Sequence, residues 1–174
     1  EGSLAASPGD AIYTARWNHF LTHFKTHLDS KGWFDKTYLY MDEVSGTIMS
    51  AVIDMVKAND PNWKIGLAHY KDISLEIENQ IDDLSIQIGR KPLGDRTGKI
   101  TTFYTPCTPS RPNNFIAGDA RSAENVWMGW HTLNQGMDGF LRWAYDYWET
   151  GITDPKDTRN GGHTSGDFLL SYRS

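Results

Sequence analysis

With 174 residues, 39% of them apolar and 22% charged, the chain has the length and composition of one folded domain. A formal charge of −5 argues against a nucleic-acid surface, which needs clustered Lys and Arg, and no apolar run approaches the roughly 18 residues of a membrane span. Cys107 is alone, which excludes an internal disulfide and a cysteine-cluster metal site. The anomaly is aromatic: seven Trp, eight Tyr and seven Phe. Such faces suit a sugar cleft, although core packing is their commoner use.

In chain order, Tyr13, Trp17, Phe20, Leu21, Phe24 and Leu28 recur at helical spacing and predict a first helix over 11–30, with Asp10 at its N-cap and Gly32 ending it. His19, His23 and His27 lie four apart on an adjacent face. No acidic ligand is interleaved, so they read as surface histidines rather than a metal site. A strand over 37–41 runs into Asp42-Glu43, and a helix over 46–58 follows, its Ile48, Met49, Val52, Ile53 and Val56 inward and Asp60-Pro61 stopping it. Next come a strand over 64–68, a short helix over 73–80 and a strand over 84–88, opened by Asp82-Asp83, which reads as solvated rather than ligating. The polar stretch 89–98 is too short for a helical crossover. A fourth strand over 100–105 leads through a Pro-rich loop, 106–114, to a helix over 120–134 with Val126, Trp127, Trp130 and Leu133 on its inner side. A fifth strand over 139–144, a Gly/Asp-rich loop over 146–166 and a short strand over 168–172 complete the reading.

Strands alternating with helices imply an α/β fold, a parallel sheet with helices packed outside it. Five strands cannot close an eight-stranded barrel, which typically needs about 250 residues. The alternatives are a small open sheet or the larger part of a barrel whose first strands lie elsewhere.

The acidic pair Asp42-Glu43 carries the chemistry. Carboxylates at the carboxyl end of a parallel strand lie where α/β barrels place catalysis, and two of them in one pocket serve glycoside hydrolysis. The plainer alternative is a cap on the following helix. Consecutive strand residues point to opposite faces, so a shared pocket requires the pleat to break, and Val44-Ser45-Gly46 offers the place.

The ordered segments LYMDE, FYT…RPNNF, GFLRWAYDYW and DTR…GDFLLSY resemble the catalytic barrel of glycoside hydrolase family 123 and its uncharacterised relatives, over nearly the whole chain. The characterised members are β-N-acetylgalactosaminidases. The resemblance implies that residues 1–174 are the later portion, about five βα units, of a (β/α)8 TIM-type barrel, with the first strands and last helix missing and the missing segment needed for closure. It assigns Asp42 to orienting and polarising a substrate 2-acetamido group and Glu43 to general acid/base work, in a retaining, substrate-assisted reaction on terminal β-linked N-acetylgalactosamine or a related N-acetylhexosamine. If the barrel reading holds, His69, Tyr70, Tyr104, Trp143 and Tyr145 project toward one mouth. Tyr104 and Trp143 are then ring contacts, His69 a partner for a hydroxyl, and Asn113 a subsite residue, although a turn is the commoner meaning of its segment. No cofactor is required, the partner is a glycan or glycoconjugate, and family habit implies secretion or a periplasmic site. A non-catalytic carbohydrate-binding barrel is the alternative, against which the intact acid pair argues.

Overall fold

A computed structural model describes residues 7–44, 46–105 and 122–141. α1 (Ala11–Lys31), β1 (Tyr38–Asp42), α2 (Gly46–Asn59), β2 (Lys64–His69), α3 (Leu75–Glu78), β3 (Asp83–Gln87), β4 (Ile100–Tyr104), α4 (Ser122–Gln135) and β5 (Gly139–Phe140) follow in that order. The strands form one five-stranded sheet in the order β1-β2-β3-β4-β5, with β1 parallel to β2 and β4 parallel to β5. Successive strands are also neighbours in space, and all but β3 and β4 are joined through helices, which makes an α/β arrangement of βα units. The expected elements past Leu141, the loop over 106–114 and the strand over 168–172 lie outside the described residues.

Internal contacts divide the chain into two compact units, 1–85 with 91–100 and 86–90 with 101–174. In the first, α1 ends in a left-handed Gly32 (φ 66°), with the amide of Gly32 on the Asp29 carbonyl and that of Trp33 on the Leu28 carbonyl, which closes the last turn. Asp10 holds the N-cap position in extended geometry, but its carboxylate turns back to accept from the Ser7 amide rather than capping the helix. Only Leu21 and Leu28 of the predicted α1 face are buried, while Trp17 and Phe20 remain exposed. Trp63 is the anchor of this unit. It is wholly buried between Phe24 (rings stacked, 6.2 Å) and Phe34 (edge-on, 4.8 Å), and its indole N–H donates to Asn59 Oδ1 at 3.1 Å.

No helix bridges β3 and β4. The stretch 89–98 is held instead by Glu78, buried to 2% exposure, whose carboxylate accepts from the amides of Leu93 (2.9 Å) and Gly94 (2.8 Å). Arg96 donates from the loop to the carbonyls of Glu78, Ile81 and Ile100. A buried carboxylate thus satisfies backbone donors that a helix would have satisfied internally.

Each unit also carries the same clamp at the start of a strand. Asp82 donates its amide to the Ile65 carbonyl (2.8 Å) while its Oδ2 accepts from the Ile65 amide (2.9 Å). Asp138 does the same to Thr101, at 2.8 and 2.7 Å. Asp82 is therefore engaged with the main chain, and with Lys57 Nζ at 4.0 Å, which corrects the expectation that it is merely solvated.

In the second unit Phe103 is wholly buried against His131 and Phe140. The residues of α4 predicted to face inward do not do so: Val126, Trp127, Trp130 (67% exposed) and Leu133 (74%) lie at the surface, and Met128 is the buried one. Helical periodicity correctly reports an apolar stripe, but an inward stripe needs a neighbouring element to cover it.

Candidate active site

Asp42 is the last residue of β1, in register with Ala68. Glu43 continues the ladder by one bond, its amide donating to the Ala68 carbonyl at 2.9 Å, and then leaves it with φ +48°. Among the described residues it is the single non-glycine with positive φ. The pleat thus breaks at Glu43 itself rather than at Gly46, which opens α2. A left-handed residue turns the chain out of strand alternation, so the rule that sends neighbouring side chains to opposite faces does not extend to Glu43. Both acidic residues are exposed.

Asp42 lies at one end of an apolar groove of about 430 Å³ beside β1, walled by Tyr13 and Trp17 of α1, by Leu39 and Met41, and by Ile48 and Val52 of α2. Leu39 and Met41 alternate with Tyr38, Tyr40 and Asp42, so these last three share the other face of the strand. On that face Lys64 Nζ stands 5.4 Å from the Tyr38 ring centroid. The Tyr40 ring lies across its register partner Gly66, where a Cβ would fall among the ring atoms. Burial, and then the carboxylates of Asp83 and Asp42, push the Tyr40 phenol well above the usual tyrosine range. Tyr40 was not among the residues singled out by sequence, and Asp83 entered only with Asp82, as a solvated pair opening the third strand. The two-residue spacing from Tyr40 to Asp42 was the available signal.

His69 ends β2 with 4% exposure, on the strand face of Ile65 and Leu67, its ring 5.7 Å from that of Tyr70. Tyr104 ends β4 half-buried, alternating with the buried Phe103, and its carbonyl accepts from the Ile88 amide at 2.8 Å. Asn113, Trp143 and Tyr145 lie outside the described residues. His19, His23 and His27 are exposed, and no group of three or more His, Cys, Asp or Glu among the described residues is arranged to hold a metal ion. No described helix is long and apolar enough to cross a membrane.

Sequential βα units with an acidic pair at the carboxyl end of a strand define an α/β protein built on a parallel sheet with flanking helices. The catalytic-domain description of glycoside hydrolase family 123 matches residues 2–173, and the chain belongs to that family. It is also similar to a solved structure, a family 123 glycoside hydrolase from Clostridium perfringens studied for glycolipid glycan hydrolysis, with 31% identity and a TM-score of 0.70 over 82% of this chain. The chain spans only 27% of that structure. No curated protein matches it.

Proposed function

We propose that the chain is part of the catalytic barrel of a retaining glycoside hydrolase that removes terminal β-linked N-acetylgalactosamine, or a related N-acetylhexosamine, with the substrate's own 2-acetamido group as nucleophile. The observation that carries the reading is Glu43's left-handed backbone immediately after Asp42, at the carboxyl end of β1, in a chain of this family. In this scheme Glu43, as the neutral acid, gives its proton to the glycosidic oxygen. The acetamido oxygen attacks the anomeric carbon, the bond to the leaving group breaks, and an oxazolinium ion forms. Asp42, ionised, stabilises the positive charge growing on the amide nitrogen. Water then attacks the anomeric carbon, Glu43 takes its proton, and the ring opens with net retention.

Tyr104, Asn113, Trp143 and Tyr145 remain candidate sugar contacts in this scheme. His69, buried at the end of β2 with its ring beside that of Tyr70, is the candidate partner for a sugar hydroxyl. Barrel closure by further strands of a longer protein, and secretion or export to the periplasm, belong to the same proposal. The glycolipid glycan of the Clostridium perfringens relative makes a glycoconjugate the first substrate to screen.

The test is turnover of aryl N-acetyl-β-galactosaminide and N-acetyl-β-glucosaminide by the full-length protein, with the product anomer read by NMR. Glu43→Gln is expected to lower kcat by about 10²- to 10⁴-fold with folding intact. Unchanged activity in that variant removes Glu43 from the acid/base role. Wild-type binding without hydrolysis favours the carbohydrate-binding alternative.

A further inference from the structure

We propose that Gln87 is a sugar-binding residue: at the carboxyl end of β3, beside Tyr104 at the carboxyl end of β4, its side-chain amide pairs with hydroxyls of the bound N-acetylhexosamine while the Tyr104 ring lies against the sugar. The inference rests on the carbohydrate reading above and adds a residue to it.

Backbone geometry puts the two residues side by side. The Ile100 amide donates to the Asp82 carbonyl (2.9 Å) and the Ile88 amide to the Tyr104 carbonyl (2.8 Å), so β3 and β4 run parallel with Gln87 opposite Tyr104. Opposite residues of a ladder share a face, with their backbones on the order of 4.8 Å apart. Each is the last residue of its strand, and each is half-buried. Their face is the open one. Ile86, Thr101 and Phe103 are buried on the other, where Phe103 packs against His131 of α4. On the open face Thr102, two residues before Tyr104, is in register with Gly139. A Cβ at Gly139 would meet one described atom, Thr102 Cγ2 at 3.8 Å, so there is room beside that threonine.

The chemistry suits a sugar. The Gln87 carbonyl accepts from the Arg90 amide at 3.1 Å, but the side-chain amide makes no hydrogen bond with another described residue. Its oxygen accepts and its two hydrogens donate, which matches neighbouring hydroxyls that each do both. The adjacent ring supplies apolar surface, and a few polar groups among aromatic walls fix a ligand's orientation. Carboxyl ends of parallel strands are where such sheets hold ligands.

The experiment measures kcat/KM and thermal midpoints of the full-length wild type, Gln87→Ala, Gln87→Glu and Tyr104→Ala. The substrates are an aryl N-acetyl-β-galactosaminide and its monodeoxy analogues, each lacking one hydroxyl. Gln87→Ala is expected to lower kcat/KM about 10- to 100-fold on the parent substrate, and by less than about 3-fold on the analogue lacking the hydroxyl it binds. Gln87→Glu, similar in shape but without the donor hydrogens, should show the same pattern and serves if alanine lowers the thermal midpoint. Tyr104→Ala is expected to lose about 10-fold on every substrate alike. Wild-type kcat/KM in both Gln87 variants, or an equal loss on all analogues, overturns the inference. Should the wild type hydrolyse no N-acetylhexosaminide, the proposed catalysis fails separately, and calorimetric binding of N-acetylgalactosamine decides: weaker binding by Gln87→Ala upholds the role, while equal affinity, or no binding by the wild type, overturns it.

Discussion

Glu43 holds a backbone conformation that its residue type does not favour. A left-handed L-residue without a short polar side chain costs roughly 1–2 kcal/mol, and glycine removes that cost while giving back about 0.4–1 kcal/mol through the freer unfolded chain. Glu43→Gly should therefore leave stability unchanged or raise it by up to about 1.5 kcal/mol while abolishing turnover. Glu43→Val, β-branched at the same φ, should destabilise by about 1–2 kcal/mol. Chemical denaturation of the full-length variants separates the two outcomes, and a Glu43→Gly protein clearly less stable than wild type argues against strain at this position. Sequence pointed to the acid pair because a strand ends there and a helix begins. It gave no hint of the backbone sign, since Glu, unlike Gly, Asn or Asp, is not a residue whose presence announces a left-handed turn. Tyr40 was hidden for a different reason: alternation puts it on Asp42's face, but its significance depends on a glycine 26 positions away, which only strand register brings opposite it.

At the level of elements, the Glu78 carboxylate is what the β3–β4 connection has in place of a helix. Glu78→Ala would strand the amides of Leu93 and Gly94 and is expected to cost about 1–3 kcal/mol, with Glu78→Gln intermediate because one acceptor oxygen remains. Faster hydrogen exchange at Leu93 and Gly94 in Glu78→Ala is the local signature, and unchanged exchange there would refute the clasp. Sequence could say that 89–98 is too short for a crossover helix. It could not say that a carboxylate 15 residues upstream takes over the hydrogen bonds.

α4 makes a pH-dependent contact. His131 stacks on Trp127 (centroids 4.7 Å) and meets Phe103 edge-on (4.9 Å), and burial holds its imidazole below the usual histidine range. A depressed folded-state value means that the unfolded chain takes up the proton first. The stabilising contribution is therefore present above the ordinary histidine pKa and lost as pH falls through the lower folded value. His131→Phe should flatten the difference in thermal midpoint between pH 7 and pH 5 relative to wild type. An identical slope in both proteins would exclude His131 as its source. The exposure of Trp130 and Leu133 has the same root as the failed inward assignment: period 3.6 locates a stripe on the helix cylinder, while its covering depends on elements remote in sequence.

For the molecule as a whole, β1 stands at one end of the sheet with an apolar groove alongside it, and α4 presents a row of large apolar side chains. Exposed apolar patches and strand edges drive association. The 174-residue chain expressed by itself should bind a hydrophobic dye and sediment as associated species. A dye-negative, strictly monomeric 174-residue chain would mean that these surfaces need no cover. The α/β class was legible because alternating periods of 2 and 3.6 are local properties of sequence.

The twin clamps of Asp82 on Ile65 and Asp138 on Thr101 have one further consequence. Each grips only main-chain atoms of its target, so it works whatever side chain stands there, as the unlike pair isoleucine and threonine illustrates. Substitutions at 65 or 101 that keep the backbone in place should therefore leave each clamp intact, whereas loss of either aspartate's carboxylate leaves a strand amide without its acceptor.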